Sequence, residues 1–149
     1  MKIIKFLLLL LPWFISTLLI KDTSFYQNLN LPFFAPPAII FIIVWPLLYL
    51  FITISTYKIY NNFKVSELKS YNISLIINYL FNQLFPISFF VLKSPFLGFV
   101  NTLLVLISSL LLYDETKKLN LKSSKWLIPY LIWNIFALIL SLTVYFMNF

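Results

Sequence analysis

Five apolar stretches, each about 18 residues or longer and separated by short breaks rich in lysine, asparagine or proline, leave this chain little choice of fold. A helix of about 20 apolar residues matches the hydrocarbon thickness of a bilayer. The runs fall at 3–20, 37–60, 71–92, 96–113 and 125–147, so the chain reads as an all-α integral membrane protein, a five transmembrane helix bundle forming a single domain over 1–149. Mean hydropathy of +0.96 with 10% charged residues, against about 25% in soluble domains, leaves no separate soluble domain to carry the function.

The breaks define the topology. The first run follows Lys2 and Lys5 in the manner of a secretory signal, but its length and the lack of a small-x-small site before Lys21 mark it as an uncleaved span, with a bend expected at Pro12. Pro36 and Pro37 end a polar connection and preset the first turn of the second helix, since proline there loses no needed donor. Lys93-Ser94-Pro95 is short enough to demand an antiparallel hairpin, and 114–124, with charges of both signs, reads as a solvated loop. Lys2, Lys5, Lys58, Lys64, Lys69, Lys117, Lys118, Lys122 and Lys125 fall on one side of the membrane, and only Lys21 and Lys93 on the other. The positive-inside rule then puts the N-terminus in the cytoplasm and the C-terminus outside. Absence of arginine beside abundant Ile, Asn, Lys and Phe points to a bacterial cell membrane.

Residue types exclude much chemistry. With no Cys and no His, the chain offers no thiolate, disulfide or imidazole base and few transition-metal ligands. The lysines flank apolar runs, so topology rather than nucleic acid accounts for them. No Asp, Glu, Lys or Arg lies deep in a span, which disfavours ion-coupled transport.

What the spans do hold is carboxamides and rings. Asn78 and Asn82 share a helical face continued by Phe85 and Phe89. Lipid gives an amide no partner, so these groups, with Gln83, Asn101 and Asn134, either bond neighbouring helices or meet a ligand. Trp126, Tyr130, Trp133, Ala137 and Ser141 recur at helical spacing in the fifth span, and Trp45, Tyr49 and Thr56 in the second. Such a set fits either ordinary packing or a pocket for a large, flat, apolar ligand, with amides fixing its orientation. Trp45 and Trp133 are the better pocket candidates, because Trp13 and Trp126 fall nearer the expected membrane boundaries.

Three blocks in order carry a family resemblance: Leu31-Pro32-Phe33-Phe34-Ala35-Pro36-Pro37 with Phe41, Val44-Trp45 and Leu48-Tyr49; Asn78-Tyr79-Leu80-Phe81-Asn82-Gln83-Leu84-Phe85 with Phe89-Phe90; and Pro129-Tyr130 with Trp133, Phe136 and Ala137. They resemble the K-P-x-W-x-P-P, L-N-x-x-W-S-x-x-F-F and P-Y-x-x-W-x-x-F-A patterns of the TspO/MBR family, the tryptophan-rich sensory proteins related to the translocator protein or peripheral benzodiazepine receptor. The resemblance implies a bundle, often a homodimer, whose cavity opens toward the first loop and binds tetrapyrroles such as protoporphyrin IX, or in some members sterols or benzodiazepine-type ligands. By position the ligand-binding residues would be Tyr26, Pro36, Trp45, Asn78, Asn82, Phe85, Trp133 and Ala137, with no metal and no required cofactor. In some members the same pocket breaks down porphyrin with light and oxygen, which would give Trp45 and Trp133 a chemical role; a bundle acting by assembly alone, without ligand, is the third possibility. Leu31, Phe25, Phe34, Phe85 and Pro86 depart from the family's Lys, two Trp of the loop, third-span Trp and Ser or Thr, so a loop cation for a porphyrin carboxylate is lost. The final residues lack the Lys or Arg of a sterol-recognition pattern.

Overall fold

A computed structural model describes residues 2–149, and every regular element among them is helical. Five helices are long and apolar enough to cross a membrane: α1 Lys2–Leu19, α2 Ala38–Asn62, α3 Lys69–Val91, α4 Pro95–Leu119 and α5 Leu121–Met147. α4 packs along both α3 and α5, while α1 rests its first half on α2 and its second half on α3. Isoleucine and leucine side chains stand exposed along the outside of the bundle, the surface a hydrocarbon solvent favours.

The expected spans and the observed helices differ at their ends, most of all after α4. The stretch 114–124, expected as a solvated loop, is largely helical: α4 continues to Leu119 and the chain re-enters helix at Leu121. Lys118 pairs with Asp114 and Glu115, each at 2.7 Å, at the spacings that stabilise a helix in water. The chain breaks only at Asn120, whose side chain accepts the Ser123 N–H at 2.9 Å and caps the turn that begins α5. Between α3 and α4 the hairpin forms as expected. Lys93 takes the left-handed conformation (φ 50°), Ser94 Oγ accepts the Leu97 N–H at 3.2 Å, and Pro95 opens the helix.

Pro12 does more than bend α1. The α-helical part stops at Leu10, and two 3₁₀ turns, Leu11–Phe14 and Ser16–Leu19, carry the chain onward. Proline has no N–H to give, and backbone groups loosened within a membrane have to be matched by protein. Helix α3 matches them: the Tyr79 hydroxyl donates to the Pro12 carbonyl at 3.1 Å, while the Gln83 amide donates to the Trp13 carbonyl at 3.2 Å and accepts the Ser16 N–H at 2.9 Å. Trp13, expected near a membrane boundary, is instead only 4% exposed, its ring stacked on Tyr49 with centroids 5.4 Å apart and edge-on to Tyr79.

One residue round the helix, α3 uses its other amides to hold α4 and α5. Asn78 donates to Ser108 Oγ at 3.0 Å and accepts from the Tyr130 hydroxyl at 3.0 Å; Asn82 donates to that same hydroxyl at 2.7 Å. Asn101 returns a bond from α4, donating to the Phe81 carbonyl at 2.8 Å, and Thr102 shares a 2.6 Å bond with Ser141 of α5.

Because Gln83 satisfies two backbone groups of the broken helix α1, Gln83→Leu should destabilise the protein by about 1–3 kcal/mol, the cost of stranding buried polar groups. Leu80→Ala, at an outward position on the same helix, should cost well under half of that. Thermal unfolding of both variants in detergent micelles measures the difference.

Candidate functional site

Prolines set the walls of the site. Pro86 ends the regular part of α3, and the chain widens into a π turn over Ile87–Val91, with the Leu92 N–H bonding to the Ile87 carbonyl at 2.9 Å. The wider turn stacks the Phe89 ring on Phe85, centroids 5.6 Å apart and planes 8° from parallel. In α2, buried residues begin only at Leu48, so the half that contains Trp45 and Pro46 packs loosely. Between that half, the 3₁₀ end of α1, the π turn and α5 lies a cavity of about 470 Å³, within the roughly 300–1,000 Å³ of small-molecule sites.

Of the residues singled out in the sequence, Tyr26, Trp45, Asn82, Phe85, Trp133 and Ala137 line this space together. Tyr49, Phe89 and Ser141, placed on the same stripes by spacing, line it too. Asn78 and Pro36 do not. Asn78 is fully buried behind Asn82, its amide committed to Ser108 and Tyr130, so it holds the wall instead of meeting a ligand. Pro36 contributes only its carbonyl, which accepts the Tyr26 hydroxyl at 2.9 Å and so aims the tyrosine ring. Trp126, the other end of the fifth-span stripe, lies away from the cavity beneath the Lys58 ammonium, 5.0 Å from the ring centroid.

Phe14 and Thr17 of α1, Ile20 just after it, and Thr102 and Val105 of α4 line the cavity without having been marked by the sequence. For α1 no helical spacing applied, since its 3₁₀ turns rotate the chain by a different angle per residue. Asn134, read as a helix linker or a ligand contact, is a wall residue whose signal was its place four positions after Tyr130 on the face that continues to Ala137 and Ser141.

The cavity is aromatic and aliphatic, and no charged side chain lines it among the described residues. Among its wall residues, buried atoms of Asn82 (Oδ1), Trp133 (Nε1) and Asn134 (Nδ2 and Oδ1) lack hydrogen-bond partners. These supply two donors and two acceptors at the α3–α5 wall. Unpaired polar atoms in so apolar a setting cost free energy until something bonds them.

Over the mouth runs the connection between α1 and α2. A single helical turn, Ser24–Gln27, is preceded by Asp22, which accepts the Ser24 N–H at 2.8 Å and the Ser24 hydroxyl; these bonds, the hydroxyl's foremost, hold the Asp22 carboxyl below the usual carboxylate range. Phe25 and Tyr26 of this turn press on Phe89, with centroids 5.3 and 6.4 Å away. At its far side the loop is tied to the end of α5 by a reciprocal pair: Asn30 N–H donates to Asn148 Oδ1 and Asn148 Nδ2 donates to the Asn30 carbonyl, both at 2.9 Å.

Phe89 can lie where it does because α4 presents Gly98 to it. A Cβ at that position would sit 2.6 Å from Phe89 Cδ2. Gly98→Ala should therefore push the ring into the cavity and destabilise the protein by about 1–3 kcal/mol, the usual cost of overpacking, and the double change Gly98→Ala with Phe89→Leu should recover part of it; thermal unfolding of the pair against wild type checks this.

The chain is similar to known proteins over nearly its whole length. The TspO/MBR family model matches residues 4–147. The chain is 36% identical over 148 residues to a protein of Bacillus cereus named tryptophan-rich protein TspO, covering 99% of this chain and 96% of that one. It is 33% identical to an uncharacterized membrane protein of Bacillus subtilis, over 85% of this chain and 82% of the other, and 31% identical to a tryptophan-rich protein TspO of Archaeoglobus fulgidus, over 84% and 80%. With a family match spanning nearly its whole length and five apolar helices of membrane-crossing size, the chain is an integral membrane protein and belongs to the TspO/MBR family.

Proposed function

We propose that the protein is a membrane receptor or carrier that binds a flat hydrophobic ligand, with a tetrapyrrole such as protoporphyrin IX the best fit to the site. The observation that carries this reading is the cavity of about 470 Å³ with Trp45 and Trp133 in its wall and unpartnered amide and indole atoms beside them. Ring faces supply contact area to a planar macrocycle, and the amides offer its interior a few directed bonds. Carboxylates of such a ligand belong at the mouth, because the lining holds no cation and an unpaired buried carboxylate is prohibitively costly. Lys21, between the lining residues Ile20 and Thr23, is the nearest cation along the chain there. The lysine distribution and the Bacillus relatives support a bacterial cell membrane with the N-terminus cytoplasmic and the cavity mouth and C-terminus outside.

Titration with protoporphyrin IX should quench tryptophan fluorescence saturably. Trp45→Phe and Trp133→Phe should each weaken binding by about 5- to 30-fold, equivalent to about 1–2 kcal/mol, while Trp126→Phe, outside the cavity, should leave the Kd unchanged. Quenching that does not saturate, or a Kd indifferent to both cavity tryptophans, rejects the reading.

The presence of both indoles in the wall also favours light- and oxygen-dependent oxidation of the bound porphyrin: the excited macrocycle takes an electron from an indole and passes it to dioxygen, the indole radical cation recovers an electron from the macrocycle, and the superoxide adds to the porphyrin radical cation so formed. That chemistry asks for no acid–base pair and no metal. Illumination of the complex should bleach porphyrin absorbance faster than in detergent alone, and the excess should vanish in the double variant Trp45→Phe with Trp133→Phe.

A further inference from the structure

At the end of the bundle away from the cavity, where α1 begins and α2 finishes, lies a second recess. It is open, about 720 Å³, and lined by Lys2, Ile4, Lys5, Leu8, Tyr57 and Asn61. Its chemistry is unlike that of the cavity: two ammonium groups stand above an aliphatic wall. Lys5 is held in place, its ammonium donating to the Asn61 Oδ1 at 2.7 Å and to the Tyr60 carbonyl at 3.1 Å, and lying 5.8 Å from the Tyr57 ring centroid. A lysine has three N–H donors, so one remains unspent. No carboxylate neutralises either lysine, since the ion pairs found among the described residues both belong to Lys118. Below them Ile4 and Leu8, one turn apart on the same face of α1, are 62% and 67% exposed.

We propose that this recess binds the headgroup of an anionic phospholipid. The phosphodiester oxygens take the free N–H of Lys5 and the ammonium of Lys2, and the first part of an acyl chain runs down Ile4 and Leu8. Charge complementarity selects the occupant. The recess carries two uncompensated positive charges at the level where a helix leaves the hydrocarbon, and a headgroup with net negative charge supplies the counter-charge together with the apolar tail that the wall below requires. A choline headgroup brings its own cation beside the phosphate and gains less; free phosphate brings no tail. The pre-positioned ammonium of Lys5 means that less side-chain entropy is lost on binding than for a freely moving surface lysine.

The full chain, purified in detergent and stripped of lipid, is to be offered phosphatidylglycerol, phosphatidylcholine or inorganic phosphate, with bound lipid counted by native mass spectrometry and thermal unfolding followed in parallel. Phosphatidylglycerol should be retained at one per chain and raise the Tm, with phosphatidylcholine and phosphate doing neither. Lys2→Gln, which removes no hydrogen bond from the protein, should weaken retention about 5-fold, and Lys2→Gln with Lys5→Gln about 30-fold, following about 1 kcal/mol per lysine at a membrane surface. Lys117→Gln with Lys122→Gln removes the same charge from residues outside the recess lining, around the α4–α5 turn, and should leave retention as in wild type. Equal loss in the two double variants would reduce the effect to diffuse surface charge and overturn the proposal. So would retention of phosphatidylcholine as tightly as phosphatidylglycerol, or equal stabilisation by inorganic phosphate.

Discussion

A carboxamide inside a membrane has nowhere to turn but to other protein groups, and the bundle is organised around that constraint. Helix α3 carries the amides. On one side it offers Tyr79 and Gln83 to the carbonyls and N–H that Pro12 loosens in α1; on the next, Asn78 and Asn82 to Ser108 of α4 and Tyr130 of α5. Apolar side chains cannot choose between neighbouring helices and lipid tails, which are equally apolar, so directed bonds and close packing decide which helices meet and in what register.

The cavity is where that accounting is left open. Asn82 spends its nitrogen on Tyr130 and on the Asn78 carbonyl but leaves its oxygen unpaired, and Asn134 and the Trp133 indole N–H beside it are unpaired as well. Backbone irregularities border the space, the 3₁₀ turns after Pro12 and the π turn after Pro86, and Pro46 lies in its α2 wall. The rings of Trp45, Phe85, Phe89 and Trp133 then line the gap instead of filling it.

Much of this was legible in the chain. Five spans, the hairpin at Lys93-Ser94-Pro95, and the meeting of Trp45, Asn82, Phe85, Trp133 and Ala137 at one site all emerged from helical spacing and from the family resemblance. Spacing could not separate Asn78 from Asn82, because residues four apart share a face and differ only in depth: one turn further along, the wall recedes and Asn82 meets the cavity, while Asn78 meets α4. Nor could it show that Trp13 turns inward onto Tyr49, since Pro12 resets the helix just before it. The charged stretch after Tyr113 looked like a loop by composition, yet its charges sit at spacings that extend a helix into water.

Membrane residence, the number of spans and the uneven placement of lysine were settled by the sequence alone, because hydrophobic length and terminal charge act on each segment separately and need no partner. Which amides pair and which stay open, where the prolines leave room, and that two lysines and an aliphatic stripe share one recess were decided only in three dimensions. Those properties depend on the rotation and depth of one helix against another, and directed bonds between residues as far apart as Pro12 and Tyr79, or Asn30 and Asn148, set both.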